Sequence, residues 1–342
     1  MKKQILIGIV LVLSLAMTAS AWDVLGHAYI MEQLKGGAGS ASANELYGIT
    51  APDFVNYLIG GPYYDYLYNE THKDFMRVWH MSGNGIQGTN EQELAFGFVA
   101  HNGVWGADYI AHVASLADAS QGYVVGLAHV LETVFASTEV APGVNIWLAL
   151  GIGTGPEYHD LRIELCHNIV EYIIDVRIWE ADASLAGRVA AAAAARDASM
   201  PGLMVKAYGK LLSDFSQTTA APLNHAAADF LLQSYEGFFK EREYLYAGLF
   251  ASASTLDGVI VNLSGYLSEL ANALYGLGTT PDQVYQILYL SYYSLLQFDV
   301  MSELDGTVNF VRGQMAAHHV VYGPKGIMSR VGEEAPLGRI KR

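Results

Sequence analysis

The chain has 342 residues, of which 15% are charged, and its formal net charge is -15 at pH 7. This acidity argues against a broad basic surface for nucleic acid, because phosphate backbones are bound chiefly by lysine and arginine. It suits a chain that holds several divalent cations, whose charge the count omits. The single cysteine, Cys166, excludes an intramolecular disulfide. We therefore expect stability to come from packing, from metal, or from both.

The amino terminus has the pattern of an export leader. Lys2 and Lys3 precede an apolar run at residues 5–17, and small residues follow at 19–21. This order is typical of a signal peptide. The run is shorter than the about 20 residues that span a bilayer. We expect cleavage directly before Trp22 and a secreted or periplasmic protein.

The remaining sequence predicts an all-α protein. Stretches rich in Ala, Leu, Tyr and Glu recur without the strict alternation of half-buried strands. Helices are predicted over residues 92–118, 122–137, 157–182, 203–216, 224–250, 255–275 and 281–298. The predicted fold is a multi-helix bundle.

A break in this helical pattern suggests how the chain is divided. Met200-Pro201-Gly202 follows an alanine-rich helix former and interrupts it. We predict a leader at 1–21, an amino-terminal region at 22–200, a helical region at 201–322 and a basic tail at 323–342. The tail is punctuated by glycine and proline, so we expect it to be solvated.

Histidines and carboxylates recur at helical spacing in two segments. At about 100° per residue, His101, Asp108 and His112 fall on one narrow helix face. His167 and Glu171 are four residues apart and also share a face. Any one of these residues alone would favour a solvated face. Two such sets together predict a metal site, because helix bundles build their metal sites from facing helices in this way.

The same residue types continue toward the amino terminus. Trp22 would be the first residue of the mature chain, and His27 follows it. A free α-amino group and its own carbonyl oxygen can chelate a metal in a five-membered ring. Asp53 follows Ala-Pro, and a Gly-Pro-Tyr-Tyr-Asp stretch at 61–65 leads to His72.

This ordered set of residues, spread over 22–175, resembles the zinc-dependent phospholipase C family and the related fungal single-strand-specific nucleases. Both groups are all-α proteins with three zincs, so the resemblance implies a bundle of that type with a trinuclear zinc region within 22–200. The spacing from Trp22 to His27 is similar to the nuclease branch. The 61–65 stretch leading to His72 resembles the phospholipase branch.

The resemblance also implies which residues hold three Zn²⁺ ions. The implied ligand sets are Asp53, His72, His101 and Asp108; His112, His167 and Glu171; and the amino and carbonyl groups of Trp22 with His27 and Asp108. Asp108 would thus bridge two ions. Nitrogen and oxygen ligands at about 2.0–2.2 Å are those that zinc accepts.

One spacing departs from the family. Three residues separate the first His from the Asp of this motif in the family, whereas residues 102–107 intervene here. Seven positions of a straight helix span about 10.5 Å, which is too far for His101 and Asp108 to share an ion. A bulge or loop is therefore required, and Gly103 and Gly106 are where the helix would deform.

A second histidine competes for one ligand position. If the helix were straight, the first site would lose a ligand or recruit His80. His80 also competes directly with His72. We favour His72 because its spacing from Pro62 matches the family.

The resemblance implies hydrolysis of phosphodiesters by zinc-activated water, with Asp53 orienting or deprotonating that water. A phospholipase C-like activity on phospholipid headgroups is favoured, with transient contact to a membrane surface. Binding of double-stranded nucleic acid is not expected, and no obligate protein partner is evident.

Two alternatives stay open. A related single-strand nuclease or nucleotidase would stack bases on aromatic side chains, which are abundant here. The second alternative is a noncatalytic, zinc-stabilised exported protein, which the altered spacing between His101 and Asp108 favours.

Overall fold

The structure is a computed structural model that describes residues 22–82, 89–275 and 278–320. The predicted leader and the predicted basic tail lie outside the described residues. Within them the protein is all-α, as predicted, except for a two-stranded antiparallel hairpin of β1 (Glu139–Ala141) and β2 (Val144–Asn145).

The amino-terminal part is a series of mostly short helices. They are α1 (Asp23–Lys35), α2 (Ala43–Thr50), a 3₁₀ helix (Ala51–Leu58), α3 (Tyr64–His72), α4 (Met76–Met81), α5 (Asn90–His101), α6 (Ala107–His112) and α7 (Tyr123–Ser137). A capping box at Ser42 and Glu45 starts α2 by satisfying two backbone N–H groups. Each of these short helices is held mainly by its neighbours, since isolated helices of this length are marginal in water.

The predicted single helix over 92–118 is wrong. α5 ends at His101, the chain turns through residues 102–106, and α6 begins at Ala107. The buried Asn102 makes this turn possible, because its Oδ1 accepts the N–H groups of Val104 at 2.9 Å, Trp105 at 2.8 Å and Gly106 at 3.2 Å. The required interruption is therefore present where the two glycines predict it.

The later helices are longer. They are α8 (Ile146–Ala149), a second 3₁₀ helix (Pro156–Tyr158), α9 (His159–Ala181), α10 (Ser184–Ala195), α11 (Ser199–Met204), a π-helical segment (Val205–Gly209), α12 (Lys210–Ser216), α13 (His225–Ala251), α14 (Leu256–Tyr275), α15 (Pro281–Leu295) and α16 (Val300–Ala317). The helices predicted over 122–137, 157–182, 224–250 and 255–275 are confirmed to within two residues at each end. The helix predicted over 281–298 ends at Leu295.

The predicted break at Met200-Pro201-Gly202 is misplaced. The chain leaves helical geometry at residues 196–198, and all three residues belong to α11. Pro201 is tolerated there because it lies in the first turn, where backbone N–H groups have no intrahelical partner. The π-helical segment then continues the chain into α12 without a turn.

Helix α9 lies at the centre of the bundle. It packs against α1, α7, α14 and α15, and most of its length from Leu165 to Trp179 is buried. α13 packs against α10 and the first 3₁₀ helix, while α16 packs against α1. α5 contacts α1, α6 and the first 3₁₀ helix, and the first 3₁₀ helix contacts α3, so these elements and α9 meet in one region. None of the helices within 22–82, 89–275 and 278–320 has the length and apolarity to cross a bilayer.

Candidate metal centre

Eight of the predicted ligand side chains gather in the region where these helices meet. Their nitrogen and oxygen atoms form three sets with all atoms within 4.8 Å of one another. The sets are His27, Asp53 and His101; His72, His101 and Asp108; and His112, His167 and Glu171. We call His27, Asp53, His72 and His101 the inner group, and His112, His167 and Glu171 the outer group; Asp108 lies between them.

Two imidazoles of the inner group are held in the same way. The rings of His27 and His101 stack with centroids 4.3 Å apart, and both are fully buried. The Nδ1 of His27 lies 2.9 Å from the Asp23 carbonyl oxygen, and that of His101 lies 2.8 Å from the Ile49 carbonyl oxygen. A carbonyl can only accept, so each Nδ1 carries the hydrogen and each Nε2 carries the lone pair. Neither Nε2 has a hydrogen-bond partner among the described residues, and this arrangement is typical of metal-ligating histidine.

His72 is oriented by a hydroxyl group. Its Nδ1 is 2.8 Å from Thr71 Oγ1, and that hydroxyl donates to the Leu67 carbonyl oxygen at 2.9 Å. The hydroxyl thus accepts from Nδ1–H, which leaves the Nε2 lone pair 3.6 Å from Asp53 Oδ1. The ring of Tyr68 stacks on His72 at 4.1 Å.

The competing histidine, His80, lies elsewhere. Its side chain is exposed, and it lines a surface cleft with Glu70 and Arg77. It belongs to none of the three sets. His72, and not His80, therefore lies with the other predicted ligands.

Asp53 provides the negative charge of the inner group. It lies on the first 3₁₀ helix, 3.8 Å from His101 Nε2, and its Oδ1 accepts from Asn56 Nδ2 at 3.0 Å. Burial opposes ionisation of Asp53, but His101, His72 and His27 outweigh burial and lower its pKa to about 2. Asp53 is therefore a carboxylate at neutral pH.

Asp108 links the two groups. Its Oδ1 is 3.9 Å from His101 Nε2 and 3.3 Å from His112 Nδ1. Burial opposes its ionisation too, but His112 and His101 lower the pKa of Asp108 well below its ordinary value. The preceding residue, Ala107, accepts a hydrogen bond from the indole of Trp22 at 2.8 Å.

The outer group joins α6 to α9. His112 Nε2 is 3.0 Å from His167 Nε2, which is 3.0 Å from Glu171 Oε1. His112 Nε2 is also 3.7 Å from the same carboxylate oxygen. Burial disfavours the imidazolium of His112, yet Asp108 and Glu171 outweigh burial and raise its pKa to about 10.

The distances within the groups suit a small cation. Ligands of a tetrahedral ion at about 2.0–2.1 Å lie about 3.3 Å from one another. The pairs of atoms whose distances are given above are 3.0–3.9 Å apart, and no two atoms of a set are more than 4.8 Å apart. Several buried clusters of His, Asp and Glu in this chain can therefore hold metal ions.

One placement differs from the implied assignment. His27 lies with Asp53 and His101, whereas the resemblance places it on an ion with Asp108. Trp22 is fully buried, and its indole packs at 5.8 Å from the ring of Tyr123. Because His101 belongs to two of the three sets, those two sets are adjacent.

Two acidic residues near the centre have roles that the sequence reasoning missed. Asp175 lies one turn beyond Glu171 on α9 and accepts the backbone N–H groups of Leu25 at 3.0 Å and Gly26 at 2.9 Å. Asp23 is buried and pairs with Arg242 at 3.1 Å. Helical spacing places Asp175 on the same face of α9 as Glu171, but nothing in the local sequence marks its partners.

Comparisons of this chain with protein-family models, with curated proteins and with solved structures find no match.

Proposed function

We propose that this protein is an exported zinc-dependent phosphodiesterase that hydrolyses phospholipid headgroups in the manner of a phospholipase C. The observation that carries the proposal is the pair of stacked, fully buried imidazoles of His27 and His101. Within the part of the chain that the structure describes, their Nε2 atoms have no hydrogen-bond partner. An unpartnered buried polar atom is costly, and a bound cation would remove that cost. The ordered ligand motif of the zinc phospholipase C family supports zinc as that cation.

The nitrogen-rich ligand set favours zinc among common divalent ions. Magnesium and calcium prefer oxygen ligands, whereas zinc accepts imidazole and carboxylate together. Bound zinc would supply a water of lowered pKa and positive charge for the phosphoryl oxygens. The chain itself would supply Asp53, ionised and held by Asn56, to orient or deprotonate that water.

A related nuclease activity is the second candidate, and one observation favours it. Tyr68 stacks on the ligand His72, and Tyr64 lies 5.7 Å from Tyr68, so a half-buried aromatic surface adjoins the inner group. Nucleobases stack on such surfaces without sequence preference. The net charge of -15 disfavours this candidate relative to a zwitterionic lipid substrate.

The test compares two substrates on the same zinc-loaded protein. We expect release of phosphorylcholine from phosphatidylcholine vesicles, loss of that release on chelation, and little cleavage of single-stranded DNA. Asp53→Asn should lower the rate by about 100-fold or more, since general-base groups typically contribute that much. Asp65→Asn, an exposed carboxylate on α3, is the matched control and should keep the rate.

The other outcomes each reject part of the proposal. Preferential cleavage of single-stranded DNA would replace the lipid substrate with nucleic acid. A protein that binds three zincs but hydrolyses neither substrate would be the noncatalytic alternative.

A further inference from the structure

We infer that Asp175 and Arg242 are positioning residues, which fix the start of α1 so that His27 faces the inner group. This inference rests on the proposed function in assuming that the inner group holds zinc. Neither residue has a ligand atom in the three sets described above, so each would act through α1.

The start of α1 lacks its own cap. The residue before the helix, Trp22, makes no capping hydrogen bond with its side chain. The first N–H groups of a helix have no intrahelical acceptor and need one from elsewhere. Asp175 provides it across the bundle, because its two carboxylate oxygens accept from Leu25 and Gly26.

Asp175 also sets the register between α1 and the outer group. His167, Glu171 and Asp175 occur at intervals of four on α9, so they lie on one face of one helix. The same rigid element therefore holds two outer ligands and the first turn of α1. A shift of α1 relative to α9 would break both hydrogen bonds of Asp175.

The second restraint acts on Asp23. This residue has φ +41°, which is uncommon for a side chain other than glycine and persists only where the surroundings impose it. Its buried carboxylate is 3.1 Å from Arg242 Nη2, and Arg242 Nη1 also contacts Glu243 at 2.8 Å. The guanidinium lies over the ring of Tyr246, 5.0 Å from its centroid. The position of the Arg242 guanidinium is thus fixed by two carboxylates and one aromatic ring.

The restraint reaches His27 through the backbone. The Asp23 carbonyl oxygen accepts from His27 Nδ1 at 2.9 Å, which fixes the ring and leaves Nε2 for a metal. The helix can close this tightly because residue 26 is glycine: a Cβ there would lie 2.5 Å from Trp22 Cβ. Arg242 therefore orients Asp23, Asp23 orients His27, and Asp175 holds the turn between them.

The experiment measures the zinc affinity of each site by native mass spectrometry during stepwise titration with a chelator, using the full processed chain. Asp175→Asn keeps the side-chain shape, but the amide nitrogen cannot accept, so one N–H of the first turn loses its partner. We expect this variant to weaken the zinc held by His27 about 10–100-fold, the usual effect of removing a group that orients a ligand. The other zincs should keep their affinities. Asp160→Asn, an exposed carboxylate on the same helix, is the control and should change none.

A double variant separates positioning from general stability. In a His27→Ala background, Asp175→Asn should have no further effect on zinc affinity, because the ligand that it positions is gone. A further uniform loss of zinc would overturn the inference. If Asp175→Asn does not fold, Arg242→Lys tests the same chain of contacts, since lysine cannot reach both carboxylates as the planar guanidinium does. Selective weakening of the same zinc is again expected, and an unchanged zinc would refute the inference.

The two proposals fail in different ways. An unaltered chain that binds no zinc overturns the proposed function and this inference with it. An unaltered chain that binds zinc while both variants bind it equally well overturns the inference alone.

Discussion

His27 of the inner group and His112 of the outer group are the same residue type in opposite protonation states. In the inner group, burial and the neighbouring His101 lower the pKa of His27 to about 3, so its imidazole is neutral. In the outer group, carboxylates overcome burial and raise the pKa of His112 to about 10, so its imidazole is charged when no metal is bound. Surroundings, rather than residue identity, therefore decide which group is ready for a cation.

The difference has a simple structural origin. The inner imidazoles turn their Nδ1 atoms to backbone carbonyls or a hydroxyl, so only Nε2 faces the carboxylates. His112 instead presents Nδ1 to Asp108 and Nε2 to Glu171, so both nitrogens face negative charge. A metal ion would bind His27 without displacing a proton, and would replace a proton on His112.

The largest expected effect comes from Asp108, which belongs to both groups. Asp108→Asn removes the charge that the inner and outer histidines share, so we expect loss of at least one zinc and a fall in activity of more than about 100-fold. Zinc content by native mass spectrometry and the rate of headgroup release are the measurements. Asp118→Asn, an exposed carboxylate that follows α6, is the control. Retention of both zinc and activity in the Asp108 variant would show that Asp108 does not link the two groups.

A change at the amino terminus should affect one group only. A mature chain with one extra residue before Trp22 replaces the free α-amino group by an amide, which is a poor ligand. We expect it to bind one zinc fewer and to keep the zinc of His112, His167 and Glu171. The comparison is the chain that begins at Trp22, measured in the same buffer. Equal zinc counts in the two chains would exclude chelation by the terminal amine.

The protonation difference predicts a difference in pH dependence. Below a pKa of about 10, zinc must displace a proton from His112, so the affinity of the outer group should fall about tenfold for each pH unit lowered. His27, with a pKa of about 3, should impose no such slope on the inner group near neutral pH. Zinc titrations between about pH 6 and 8, in buffers of different ionisation enthalpy, measure the protons released. Equal slopes at every site would show that the two groups do not differ in this way.

The smallest expected effect is on the turn that joins the groups. In Gly106→Ala the new Cβ would lie 2.4 Å from the His101 carbonyl oxygen, so the backbone must shift. Crowding of this kind typically lowers the free energy of unfolding by about 1–3 kcal/mol. Urea unfolding with zinc bound measures the loss. Gly187→Ala, which has open space at its Cβ in α10, is the control and should be neutral or slightly stabilising. Equal stability of the two variants would mean that the turn tolerates displacement.

The sequence predicted those parts of the fold that depend on local pattern. α7, α9 and α13 have long periodic stretches with clear ends, and they appear within two residues of the predicted bounds. The interruption after His101 was also predictable. In a straight helix, His101 and Asp108 would lie about 10.5 Å apart along the axis, which is too far for both to reach one ion. The helices before residue 90, the short helix α8 and the last helix, α16, were not predicted, because their positions depend on what they pack against.

In the candidate site, too, some features were predictable from the sequence and others were not. The resemblance, which rests on residue type and order, named eight side chains that the structure brings together. The contacts of Asp175 with α1 and of Asp23 with Arg242 join residues that are 149 to 219 positions apart. No local pattern encodes such pairings, because they arise only when the helices have packed.

The turn built on Asn102 has one more consequence. Its amide oxygen accepts three successive N–H groups while its amide nitrogen donates to the Val99 carbonyl oxygen at 2.7 Å. One side chain thereby folds the extra residues between His101 and Asp108 back on themselves, and His101 Nε2 and Asp108 Oδ1 lie 3.9 Å apart. A search that requires a fixed number of residues between two ligands would pass over this chain. A search by distances between ligand atoms would find it, together with any other chain in which an asparagine shortens the path in the same manner.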